Sequence, residues 1–167
     1  MKALILSADN FEDSELLVPF YRLQEAGYVV EVAANERGRI KGKHGYEVVV
    51  DKIFAEVNPA DYTLLILPGG EAPAAIRHLP SVQALVQAFF AAFKPVGAIC
   101  HGPQILASAG VLNGRHATCY RTVADELTVA GAKYQDSEVV VDSRLVTSRQ
   151  PGDLPAFMRE LMRLLHH

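Results

Sequence analysis

Residues 95–110 read PVGAICHGPQILASAG: an apolar run stops at Cys100, meets His101, Gly102 and Pro103, and resumes as a helical pattern. A strand that ends in cysteine and turns directly into a helix places the sulfur near the helix N-terminus. Unpaired N–H groups and the helix dipole there favour an anion and lower a thiol pKa. Gly102 permits a tight turn and Pro103 suits a first helical turn. The order is similar to the strand–nucleophile–helix elbow of hydrolases, with cysteine for serine and without the full Gly-x-Ser-x-Gly pattern. The turn by itself is equally consistent with a buried structural cysteine, because free cysteine packs as a small apolar residue.

His101 is either a base or a surface histidine, since adjacent side chains in a turn can point apart. Its backbone N–H is a candidate oxyanion donor. The glycines of "PGG" at 68–70 offer a second set of accessible N–H groups, or are simply a glycine turn. Glu12 follows the first apolar run by a short loop and is expected in the same crevice. A carboxyl beside a thiolate has its pKa raised by like charge, so Glu12 could stay protonated, bond the sulfur and shuttle protons. A solvated partner for a helix dipole is the alternative. Cys119, in "HATCY", reads as a buried strand residue, with a resolving-thiol role as the other option. No Cys-x-x-Cys, His-Glu-x-x-His, Gly-x-Gly-x-x-Gly or Walker loop occurs, so neither a metal nor a nucleotide cofactor is expected.

Alternating elements must position these groups. "KALILS" at 2–7, "YVVEVAA", "DYTLLILPGG" and "PVGAIC" read as strands, and "DSELLVPFYRLQEAG", "SVQALVQAFFAAF" and "GPQILASAG" as helices, with Ser81 as an N-cap. Glycines 38, 42 and 45 suggest a hairpin excursion. "RHATCY" is expected as a strand, "VADELTVAG" as a helix, "EVVVD" and "RLVTSR" as paired strands, and "DLPAFMRELMRLLHH" as a closing amphipathic helix. Strands apolar on both faces, alternating with helices, indicate a parallel sheet covered on both sides: a flavodoxin-like three-layer α/β sandwich. Its ligand site lies beyond the carboxyl ends of the strands, where 9–12, 69–74 and 100–102 should converge.

The chain has 167 residues, half of them apolar, a net charge of −3 and two cysteines. A single domain, 1–167, is the simplest organisation. The charge gives no reason to expect nucleic acid or an anionic membrane surface, and no run approaches a membrane span. Two cysteines form no disulfide framework, which suits a reducing cytoplasm.

In order along nearly the whole chain, "DNFEDSELLVPFYRL", "GKHGYEVVVD", "ILPGGEAP", "PVGAICHGPQILASAGVLNGR", "TCY" and "EVVVDSRLVTSRQPGDLPAFMRELMRLL" resemble the ThiJ/PfpI superfamily, in its PfpI-like branch of intracellular cysteine peptidases and stress proteins. The resemblance implies a homo-oligomer, commonly a dimer or a hexamer. It implies Cys100 as nucleophile, Glu12 as its carboxyl neighbour, and Gly70 and His101 as oxyanion donors. It also implies Tyr120 in the pocket wall and His101 as base in a peptidase scheme. That scheme completes its triad with a glutamate from a neighbouring subunit, at the sixth position after the proline of "LPGG". Here the position holds Ala74, which cannot orient an imidazole. The peptidase reading is thereby weakened. The superfamily's activities on small reactive carbonyls, hydration of methylglyoxal (glyoxalase III) and removal of early glycation adducts (deglycase), need mainly Cys100 and Glu12. A small aldehyde or glycated substrate is therefore expected ahead of peptides, and a non-catalytic redox sensor or chaperone is the third option.

Overall fold

The computed structural model describes residues 1–166. The elements run β1 (Lys2–Leu6), α1 (Asp13–Glu25), β2 (Val29–Ala34), β3 (Gly38–Lys41), β4 (Glu47–Val50), β5 (Lys52–Ile53) and β6 (Leu64–Leu67). They continue with α2 (Ala72–Ile76), α3 (Pro80–Ala91), β7 (Val96–Ile99), α4 (Pro103–Ala109), β8 (His116–Ala117), α5 (Ala124–Val129), β9 (Lys133–Tyr134), β10 (Val140–Asp142), β11 (Leu145–Ser148) and α6 (Leu154–Leu165).

Seven strands form the main sheet in the order β10-β11-β7-β6-β1-β2-β5. Every neighbouring pair in it is parallel except β10 with β11. The period-2 alternation of strands splits the apolar residues between two layers. Leu4, Leu6, Leu65, Leu67 and Ala98 face α3, α4 and α5. Ala3, Ile5, Leu64, Ile66, Ile99 and Val146 face α1 and α6. Gly97 lets the second layer close tightly, since a Cβ there would lie 2.8 Å from Phe157 Cζ. This is the flavodoxin-like three-layer sandwich. No helix among the described residues is long and apolar enough to cross a membrane.

The chain leaves β1 for β2 on one side and later returns to β6 on the other. The loops after β1 and β6 therefore diverge and open a crevice at the carboxyl ends of the central strands. The β3–β4 hairpin is separate from the main sheet and lies against the loop after β1.

Three local expectations change. Helix α3 starts at Pro80 with Leu79 as its cap, not at Ser81, because proline at the first helical position is preorganised. The "RHATCY" strand shrinks to His116–Ala117, because Thr118 N is taken by the Thr147 hydroxyl and Tyr120 N by Cys100 O. Helix α2 follows directly on the glycine turn, where none was expected. The closing helix ends at Leu165, and His167 lies outside the described residues.

Candidate active site

Cys100 sits between β7 and α4 with a positive φ of 64°. A non-glycine residue holds this left-handed conformation only where its surroundings fix it. Here both backbone groups are fixed. Cys100 N donates to Ser148 O at 3.0 Å, and Cys100 O accepts from Tyr120 N at 2.9 Å. Gly102 is required beneath the turn, since a Cβ there would lie 2.2 Å from Leu67 O. The elbow is therefore built as the sequence suggests.

The glycine turn after β6 closes over the sulfur from the other side. A Cβ on Gly69 would come within 2.5 Å of Glu15 Oε1 and 2.8 Å of Cys100 Cβ. Gly70 has a φ of 80° and packs so tightly on the loop after β1 that a Cβ would meet Glu12 N at 2.3 Å. In return, the backbone N–H groups of Gly70 and His101 lie near the Cys100 sulfur and favour its anion. They are the two groups expected as oxyanion donors.

The carboxyl against the sulfur belongs to Glu15, not Glu12. Glu15 is a fully buried residue of α1. Its Oε1 accepts from Gly69 N at 2.9 Å and its Oε2 is buried without a hydrogen-bond partner, while the carboxyl lies near enough to Cys100 for each to shift the other's titration. Burial, then the charge of Glu12, push Glu15 up to about 8. Glu12 stands further out, at the pocket mouth, where Lys43 Nζ contacts Oε2 at 3.0 Å and His44 Nε2 contacts Oε1 at 3.3 Å. The physical reason lies in the helix start. Glu12 precedes α1 and turns its side chain to Lys43 and His44, whereas Glu15 falls on the helix face that is buried with Pro19 and Leu23, four residues apart. An acid on an apolar helical stripe is the sequence signal for such a buried carboxyl.

The thiol differs from the sequence expectation as well. Burial, and then the charge Glu15 carries when ionised, push Cys100 up to about 12. The Gly70 and His101 N–H groups pull it down. The lowering expected from the end of a helix is thus carried by two specific N–H groups, and burial opposes it.

His101 Nδ1 lies 3.2 Å from the sulfur, so the two adjacent side chains do meet. Its ring leans on Tyr120, with centroids 5.0 Å apart and planes tilted by 32°. Burial and the nearby Lys43 charge hold His101 below the ordinary histidine range, which favours the uncharged imidazole. The pocket above the sulfur measures about 540 Å³. Glu12, Gly70, His101 and Tyr120 line it as expected, joined by Lys43, Glu71, Gln104 and Pro151. Ala74 lines it too. Among the described residues, no cluster of His, Cys, Asp and Glu could hold a metal ion.

The pattern of the DJ-1/PfpI family matches residues 1–164. Deglycase TK1284 of Thermococcus kodakarensis is 53% identical over 165 residues, 99% of each chain. Protein/nucleic acid deglycase 2 of Escherichia coli is 44% identical over 167 residues, covering 98% of this chain and 97% of that one. A solved two-domain structure from Anabaena variabilis, containing dj-1/thij/pfpi-like and ferritin-like domains, matches with a TM-score of 0.96 at 34% identity. That match covers 99% of this chain and 48% of the longer one. With a positive-φ cysteine elbow at the crevice and sequence and structural matches that span nearly all of its residues, this chain belongs to the DJ-1/PfpI family.

Proposed function

We propose that this protein is a single-domain cytoplasmic enzyme of carbonyl defence, acting through Cys100 on small reactive aldehydes and on the early adducts they form with amines. The observation that carries the reading is the trio around one sulfur: Glu15, Gly70 N–H and His101 N–H. Two anions cannot share so dry a site, so the Glu15–Cys100 pair holds a proton between its members. We place it on Glu15, against the order of the two groups taken singly, about 8 for the carboxyl and about 12 for the thiol. Protonation of Glu15 removes the like-charge contribution to the thiol and turns the carboxyl into a third donor to sulfur. Three donors then act against burial, and the sulfur carries the charge. The deglycase names of the relatives support the same substrate class.

The chemistry follows from these positions. The thiolate adds to the aldehyde carbon of methylglyoxal, and Glu15 gives its proton to the new alkoxide. The hemithioacetal forms, and Glu15 is left as a carboxylate able to take the hydrogen on the former aldehyde carbon. Returning that hydrogen to the neighbouring carbon converts the adduct into a lactyl thioester. The hydroxyl proton passes to the neighbouring oxygen in the same step, and water then cleaves the thioester, releasing lactate and one proton to solvent and restoring the thiolate and the protonated Glu15. With an amine adduct, sulfur takes the amine's place on the same carbon, and the amine leaves with the proton of Glu15, giving the same hemithioacetal. The N–H groups of Gly70 and His101 are the donors nearest the developing oxyanion. The peptidase alternative gains nothing from Ala74, which offers no acid to the His101 ring.

The test is lactate formation from methylglyoxal without glutathione, run alongside release of arginine from its methylglyoxal adduct. Wild-type protein should produce lactate in both assays, and Cys100→Ser in neither. Lactate formation that persists in Cys100→Ser would overturn the assignment. Peptide cleavage rising in Ala74→Glu, with no lactate from wild type, would favour a peptidase.

A further inference from the structure

We propose that Lys43 is the anion-recognition residue of this pocket, delivered by a hairpin turn that Asp13 clamps in place, and that its ligand is the carboxylate of a small hydroxy acid. The choice of acid rests on the function proposed above; the clamp and the lysine do not.

The turn between β3 and β4 is tied down along its length. Asp13 Oδ1 accepts from His44 N at 3.0 Å and Oδ2 accepts from Tyr46 N at 3.0 Å. Lys41 N donates to Asp9 Oδ1 at 2.9 Å, Lys41 O accepts from Asn10 N at 2.7 Å, and Lys43 N donates to Phe11 O at 3.0 Å. Gly42 is what allows the approach, because a Cβ there would lie 2.2 Å from Asp13 Oδ1. Burial raises Asp13, but the backbone donors outweigh it and hold the carboxyl below its usual range. A buried aspartate spending both oxygens on one turn is more than hairpin formation requires. Its consequence is the placement of Lys43 at the mouth above Cys100.

Charge explains why a lysine belongs there. The pocket is lined by Glu12 and Glu71, with Glu15 behind the sulfur. A reaction that turns a neutral carbonyl into a carboxylate adds a negative charge to this acidic space. Among the described residues, Lys43 is the only lysine or arginine lining it. Its side chain is 43% exposed and its ammonium touches Glu12 with one contact at 3.0 Å. Two of its three donors remain for an incoming carboxylate. Glu12 is thus a positioning residue that aims Lys43 across the mouth.

The experiment measures binding of L-lactate, D-lactate and the neutral isostere lactamide to the full-length Cys100→Ser protein by NMR titration, which needs no turnover. At least one lactate enantiomer should bind better than lactamide. Lys43→Met should weaken that binding about tenfold, the worth of a hydrogen bond to a charged group, and Lys43→Arg should largely restore it. Gly42→Ala, which pushes the turn off Asp13 and leaves the lysine intact, should weaken lactate but not lactamide. In the enzyme with Cys100 intact, lactate should inhibit competitively, with the same order of variants. Equal lactate binding by Lys43→Met, equal binding of lactamide by the parent, or no lactate binding at all would overturn the inference. Lys43-dependent lactate binding without methylglyoxal turnover would sink the proposed activity and leave the anion site standing.

Discussion

Cys100 and Cys119 make a controlled comparison within one chain. Both are free and buried, and burial is the first cause that pushes each thiol up to about 12. For Cys119 no other cause acts, and the residue is packed in the apolar layer against α3, α4 and α5. Cys100 has a strained elbow, two N–H donors, a carboxyl and an opening onto a pocket. Burial alone makes a cysteine inert. What makes one reactive is a set of donors that converge on the sulfur after burial has removed water.

The comparison breaks most visibly on removing each sulfur in turn. Cys100→Ser should lower lactate formation by about 10³-fold or more, while Cys119→Ala should keep activity within about twofold and cost on the order of 1 kcal/mol of stability. The assay is turnover, with denaturant unfolding as the control.

Glu15→Gln comes next. The amide can still donate to sulfur but cannot carry a proton, so turnover should fall about 10²-fold while alkylation of Cys100 by iodoacetamide stays within a few-fold of wild type. Equal losses in both would mean that Glu15 only supports the fold.

The same residue sets a pH dependence of stability. Glu15 is raised from 4.5 to about 8, so its contribution is fully present below about 4.5 and is lost as pH rises through about 8. In a Cys100→Ser background, which isolates the carboxyl, raising the pH from 5 to 9 should cost the Glu15 protein a few kcal/mol more than Glu15→Gln, on the order set by linkage. Parallel unfolding curves at pH 5, 7 and 9 would show no buried titration.

His101→Gln should have the smallest effect, about tenfold in kcat. Its ring touches the sulfur and Tyr120, and Ala74 stands where a triad acid would be needed.

Much of this was readable in advance. The elbow followed from an apolar run ending in cysteine, glycine and proline, and the layers followed from strands apolar on both faces. The convergence of the loops after β1, β6 and β7 followed from the fold class. Loop position alone points to Glu12, whereas the acid against the sulfur lies on the buried helical stripe with Pro19 and Leu23. Lys43 could not be read at all. Its place depends on Asp13 gripping a hairpin turn some thirty residues away in sequence, a long-range contact with no local periodicity. The strand expected at "RHATCY" failed similarly, because its donors serve Cys100 and Thr147 and not a sheet partner.

The central claim is that Glu15 keeps the proton and Cys100 the charge. The most direct measurement is the ultraviolet thiolate absorbance of wild type minus that of Cys100→Ser as a function of pH. The account predicts a single thiolate with a midpoint below about 7.5, in the range of activated cysteines. A midpoint above about 9, matching the thiolate of Cys119, would contradict it.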